Sequence, residues 1–182
     1  MRKGVRILPF LDGGVQEGGR RAGTENMPAI VGLGKAAELA RLNMTSRIEN
    51  VSYLRSRLLT GLPNKFDHVV VTGHPRNRLP RHASFCVEFI EGKAMLMLSN
   101  SRRVAVTSGS PCTSRALKAS HVPIAMGLPH ALAQGSLLLS FGLENTSADV
   151  DYVLEVLPPI VDRLRQMSPL YAKFRKAGKG GH

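Results

Sequence analysis

The sequence contains no tryptophan, only three Tyr and six Phe, and two cysteines among 182 residues. Two thiols, Cys86 and Cys112, are too few for a secreted disulfide framework or a four-thiolate zinc site. A reducing, cytoplasmic setting fits that scarcity. No run approaches the roughly 18 apolar residues that a membrane span needs, so no membrane partner is expected. Acidic residues are also scarce: 13 Asp+Glu against 25 Lys+Arg leave a formal charge of +12. The excess is scattered over Arg20-Arg21, Arg76/Arg78/Arg81, Arg102-Arg103 and the tail from Lys173 to Lys179. With no aromatics interleaved, it reads as solvated surface charge, and nucleic-acid binding ranks last among the functions considered.

What is present suits one globular domain. Hydrophobic residues make up 43% of the chain, enough for a core and against wholesale disorder. The opening Met1-Arg2-Lys3 mimics the basic end of an export signal, but Arg6 and Pro9 interrupt the apolar stretch and Asp12-Gly13-Gly14 ends it. An export signal is therefore not expected.

After a glycine-rich loop at residues 13–23, apolar residues recur at helical spacing from Ile30 to Leu62, which predicts one long helix or two in line. Thr24 is the expected N-cap, with Pro28 in the first turn. The runs Val69–Thr72 and Ala83–Phe89 predict strands, the second facing Phe85, Val87 and Phe89 one way and Cys86 the other. A short helix over residues 91–100, a strand over Arg103–Thr107, a short helix near residues 120–126 and a strand at Leu137–Leu139 follow. Thr146-Ser147-Ala148-Asp149 resembles a capping box with Asp for Glu. It opens a second long helix from Val150 to Leu164, in which Pro158-Pro159 predicts a kink. The order implies an α+β fold: a mixed sheet of about four strands covered by two long helices. Residues 27–176 form the expected domain, preceded by a glycine-rich segment over 1–26 and followed by a flexible tail over 177–182.

Cys112 sits in Ser108-Gly109-Ser110-Pro111-Cys112-Thr113-Ser114, where hydroxyls and amides could hold a thiolate and Arg115, Lys118 and His121 could lower its pKa. On spacing alone, a reactive thiol and an ordinary loop cysteine weigh equally. Cys86, inside a strand, reads as structural. His121 and His130 lack a partner at metal-ligand spacing, so no metal is expected. The glycines at 13, 14, 18, 19 and 23, with Arg20 and Arg21, suit either an anion cradle or a plain flexible loop.

Taken together, three separated runs carry a resemblance: Gly13-Gly14-Val15-Gln16-Glu17 through Arg20-Arg21-Ala22-Gly23-Thr24-Glu25-Asn26, then Ser108–Ser114, then Ser120-His121-Val122. With Gly135-Ser136-Leu137 and Met167–Tyr171, they resemble the C-terminal portion of class V aminotransferase-type cysteine desulfurases that serve nitrogen fixation and iron–sulfur cluster assembly. The resemblance spans nearly the whole chain. It implies the small domain of a homodimeric, fold-type I pyridoxal 5'-phosphate enzyme that converts L-cysteine to L-alanine. It further implies that Cys112 takes the sulfur as a persulfide and passes it to an iron–sulfur scaffold or sulfur-carrier protein. Thr24 matches the family threonine that reaches the cofactor phosphate of the other subunit.

The family's Schiff-base lysine belongs to a large domain that precedes the matched segment, and none of this chain's lysines stands in its context. The chain alone is therefore expected to be inactive, and its partner is expected to be that large domain or an intact desulfurase subunit. There are departures as well. Leu138 stands where the family has an arginine that grips the substrate carboxylate, and leucine cannot make that bidentate pair. Val15 replaces a glycine, Gly18-Gly19 replaces Glu/Arg-Gly, Pro111 replaces a small residue and Lys118-Ala119 replaces Glu-Pro. A binding or sulfur-acceptor module without catalysis is the alternative these departures support.

Overall fold

The computed structural model describes residues 4–109 and 119–179, and the chain divides into two units, Met1–Met44 and Thr45–His182. In the first unit a single turn, α1 (Gln16–Gly19), is closed by the Gly19 N–H on Val15 O at 3.0 Å, with Glu17 and Gly18 at positive φ. Helix α2 (Met27–Leu42) starts two residues later than expected. Its cap is Asn26, whose Oδ1 accepts the Ala29 N–H at 3.2 Å, and not Thr24; Pro28 lies in the first turn. The helix stops at Asn43, whose backbone N–H and side-chain amide both donate to Leu39 O. The long apolar pattern is thus two helices. No residue of α2 is buried.

The second unit runs α3 (Met44–Gly61), a 3-10 turn (Leu62–Asn64), β1 (Val69–Val71), β2 (His82–Val87), α4 (Gly92–Ser101), α5 (His121–Ala125) and α6 (His130–Ala133). It ends with β3 (Ser136–Ser140), α7 (Ser147–Gln166) and α8 (Pro169–Lys179). The strands lie in the order β1-β2-β3 with both pairings antiparallel, Val70 opposite Cys86 and Phe85 opposite Leu137. The α+β class is as expected; among the described residues the sheet has three strands, close to the expected four, and is antiparallel rather than mixed. Residues 103–107 contribute one bridge, Thr107 to Leu138, instead of a strand. The reason is local: Arg103 has φ 59 and the Val104 N–H turns back to Ser99 O. The chain is still closing α4 there, and only Thr107 comes alongside β3.

One sheet face supplies Ala83, Phe85, Val87, Leu137 and Leu139 to the core, at the alternation a pleated strand imposes. Val51, Leu54 and Leu58 of α3, Met95 of α4, and Val150, Leu157 and Val161 of α7 pack with them. Their spacings of three, four and seven mark one helical face. Cys86 is fully buried but stands outside this cluster, on the opposite face. Phe89 does not continue β2: at φ 70 it has left the strand, and its ring meets His68, Tyr171 and Phe174.

Helix α7 opens on the expected capping box, with the Thr146 N–H on Asp149 Oδ2 at 2.7 Å, and continues through Pro158 and Pro159 as one element. Helix α8 continues to Lys179, so residues 177–179 of the expected tail are helical. Phe174 and Tyr171 give α8 an apolar side that packs on Phe89. Among the described residues no helix is long and apolar enough to cross a membrane.

Candidate functional site

The first unit holds an open hollow of about 360 Å³ lined by Glu17, Arg21, Thr24, Asn26, Ala29, Ile30 and Leu33. Its wall is shaped by the glycine-rich loop. Gln16 Oε1 accepts the Gly23 N–H at 3.2 Å, tying the two ends of the loop together. A Cβ at Gly14 would lie 2.5 Å from that Oε1, and one at Gly13 would meet Ala22 Cβ at 3.0 Å. Gly23 has φ +92, a conformation other residues rarely adopt. These glycines therefore serve close approach of the chain to itself, which favours a shaped loop over a merely flexible one.

Thr24 and Arg21 both border the hollow, and the Arg21 Nη1 donates to Ala22 O at 3.1 Å. Arg20, the other expected donor, is exposed and does not line it. Gln16 and Asn26 were not anticipated. A polar residue between glycine pairs was the available signal for the first, and a short amide before Pro28 for the second.

Cys112 lies outside the described residues. The segment leading toward it is anchored to β3. The Thr107 N–H donates to Leu138 O at 3.0 Å, the Leu138 N–H donates to Thr107 O at 2.7 Å, and the Ser136 hydroxyl donates to Ser108 O. Gly92 makes room for this anchor, since a Cβ there would lie 2.5 Å from Ser136 O. Ser120 Oγ accepts the Val122 N–H and starts α5. Leu138 is half-buried on the sheet face away from the core, opposite Ser84 in register. His121 and His130 are exposed at the starts of α5 and α6. Burial pushes the Cys86 thiol up to about 11, which keeps it protonated and unreactive.

The model of the aminotransferase class-V family matches residues 15–153. Over 180 residues the chain is 51% identical to a cysteine desulfurase of Gluconacetobacter diazotrophicus, covering 99% of this chain and 45% of that protein. It is 50% identical to the cysteine desulfurase IscS of Methanosarcina thermophila, covering 95% of this chain and 43% of that protein. A solved NifS-like protein superposes with a TM-score of 0.75 at 32% identity, over 90% of this chain and 41% of that structure. The chain thus spans less than half the length of these relatives. Both the glycine-rich hollow and the anchored Ser108 segment lie inside the matched residues, and the chain belongs to the aminotransferase class-V family.

Proposed function

We propose that this chain supplies the small-domain part of a pyridoxal 5'-phosphate-dependent cysteine desulfurase and acts with a lysine-bearing large domain. The observation that carries the reading is the 51% identity to a cysteine desulfurase over almost the entire chain, with Cys112 and Thr24 both inside the matched family region.

The donor set around the hollow suits one part of the cofactor. A guanidinium from Arg21 and a hydroxyl from Thr24 match the oxygens of a phosphate group, while Glu17 on the rim limits how much negative charge can be held. Those residues would hold the phosphate, and the covalent attachment falls to the large domain. When bound, the cofactor supplies an electron sink for cleavage beside the amino acid's α-carbon.

The work assigned to this chain is sulfur acceptance. The Cys112 thiolate attacks the sulfur of L-cysteine, and an S–S bond forms as the Cβ–S bond breaks. The electron pair of that bond stays with the three-carbon fragment, which takes a proton at Cβ and leaves as L-alanine. Cys112 is left as a persulfide for transfer to an iron–sulfur scaffold or sulfur-carrier protein. Cys86, buried and held protonated, does not compete.

The decisive experiment supplies the purified chain with pyridoxal phosphate and L-cysteine, alone and with a separately expressed large domain. It reads sulfide release and mass gain at Cys112, with Cys112→Ala as control. Persulfide formation only in the mixture, lost in Cys112→Ala, is the expected result. Thr24→Val should weaken cofactor retention by the mixture without unfolding the chain. Absence of sulfide and persulfide with a folded, cofactor-loaded large domain would overturn the catalytic reading. Leu138 favours the second reading in that event: an apolar side chain at that register position offers no grip for a carboxylate, which suits a non-catalytic binding or sulfur-acceptor module.

A further inference from the structure

The loop between β1 and β2 gathers positive charge without a counter-charge. From Thr72 to His82 it carries Arg76, Arg78 and Arg81 with His74 and His82, and no acidic residue. Arg55 of α3 joins it, its Nη1 donating to Leu79 O at 3.3 Å. Arg78 braces the loop from within, Nε donating to His74 O at 2.8 Å and Nη2 to Thr72 O at 2.9 Å. Arg78 Nη1 and Arg55 Nε are left buried without a partner, a costly arrangement for charged donors.

The surroundings are cationic. Burial and then the charge of Arg55 hold Arg78 below its ordinary value, and burial, Arg78 and Arg81 do the same to His82. The ion pairs among the described residues, Lys35 with Glu38, Arg57 with Asp151 and His68 with Glu88, involve none of these groups. Arg76 and Arg81 are exposed, and Leu79 between them is 67% exposed.

We propose that this loop, with Arg55 and Arg78 bracing it from behind, is a docking surface for an acidic segment of a partner protein, with carboxylates on Arg76 and Arg81 and an apolar side chain over Leu79. Guanidinium groups take carboxylates in a planar, two-point fashion. An exposed leucine inside a charged rim has the layout of a protein interface. A single-stranded nucleic acid calls for stacking side chains, and residues 72–82 include no aromatic ring. A free phosphate ion would leave Leu79 uncovered.

The test uses the full chain and fluorescence anisotropy with a labelled peptide of Asp and Glu flanking one Leu. An oligonucleotide of similar charge and inorganic phosphate serve as competing probes. The peptide should bind, more weakly as salt rises. The double variant Arg76→Gln/Arg81→Gln should weaken it at least about tenfold, and Leu79→Ser severalfold. Lys173→Gln/Lys176→Gln removes the same charge from α8 and should leave the affinity unchanged. Circular dichroism checks that each variant is folded. Equal weakening by the α8 variant, tighter binding of the oligonucleotide through the same arginines, displacement by phosphate as effective as by unlabelled peptide, or no peptide binding would each overturn the proposal.

Discussion

Thr107 and Leu138 exchange both backbone hydrogen bonds, at 3.0 and 2.7 Å, and so fasten the segment that precedes Ser110 to the outer side of β3. Thr107→Pro removes the N–H that Leu138 O accepts and should cost about 1–3 kcal/mol. Urea unfolding measures that loss, and hydrogen exchange should show Leu138 losing protection before the amides of β2. Unchanged protection at Leu138 would mean the bridge anchors nothing.

Two glycines with opposite surroundings should respond in opposite directions. A Cβ at Gly135 would sit 1.9 Å from Val87 O, so Gly135→Ala must push the β2 terminus aside and should cost about 3 kcal/mol or more. A Cβ at Gly34, inside α2, meets nothing within 4 Å, so Gly34→Ala should raise α2 helicity by about 0.5–1 kcal/mol. Far-ultraviolet circular dichroism and thermal unfolding report both.

Arg165 joins α7 to the turn before β1. It is 4% exposed, and its Nη2 donates to Asp67 O at 2.6 Å and to His68 O at 3.3 Å. Its guanidinium also lies 5.7 Å from the centre of the Tyr171 ring. Arg165→Leu strands those carbonyls and should destabilise by about 3 kcal/mol. Arg165→Lys should recover little, because an ammonium cannot reproduce the fork. The near-ultraviolet signal of Tyr171 follows the detachment of α8.

Asp149 gives the acid limb of stability a definite sign. Its carboxyl is held below the ordinary 3.8, first by the Thr146 backbone N–H and then by Asn145. A depressed folded-state pKa stabilises above the unfolded value and is lost as pH falls through the folded one. Asp149→Asn should flatten that limb below about pH 4, as read by unfolding midpoints across acid pH.

Cys86 predicts the alkaline limb and a labelling pattern. With the thiol raised from 9.0 to about 11 by burial, its protonated form stabilises the fold below 9.0, and that contribution is lost as pH rises toward 11. In a Cys112→Ser background, iodoacetamide should add no mass to the native chain at mildly alkaline pH and one adduct after denaturation. Rapid native labelling would contradict the burial.

Much of the second unit could be read from residue order. The spacings of Val51, Leu54 and Leu58 and of Val150, Leu157 and Val161 fall on single helical faces, and both sets are in the core. The Thr146–Asp149 pattern marked the start of α7, and strand alternation placed Cys86 away from Phe85. The family runs around Thr24 and Cys112 pointed to the aminotransferase class-V match over residues 15–153.

Other features escaped because they depend on backbone turns and packing partners that residue type and spacing do not reveal. The Arg103–Thr107 run has strand composition, yet the closing turn of α4 leaves it one bridge. Phe89 alternates correctly with Val87, but at φ 70 it serves the aromatic cluster with Tyr171 and Phe174 instead. The apolar spacing of α2 predicted a helix correctly, but a stripe shows only that a face needs covering, not what covers it.

By itself, then, the sequence determined the α+β class, most helix and strand positions and the family, because periodicity, caps and motifs are short-range signals. Among the described residues, tertiary structure alone decided the three-strand antiparallel sheet, the seating of Arg165 on carbonyls up to 98 residues away and the joining of Arg55 to the β1–β2 loop. Pairing, desolvation and counter-charge are set by which distant residues the fold brings together, and local spacing carries no record of that.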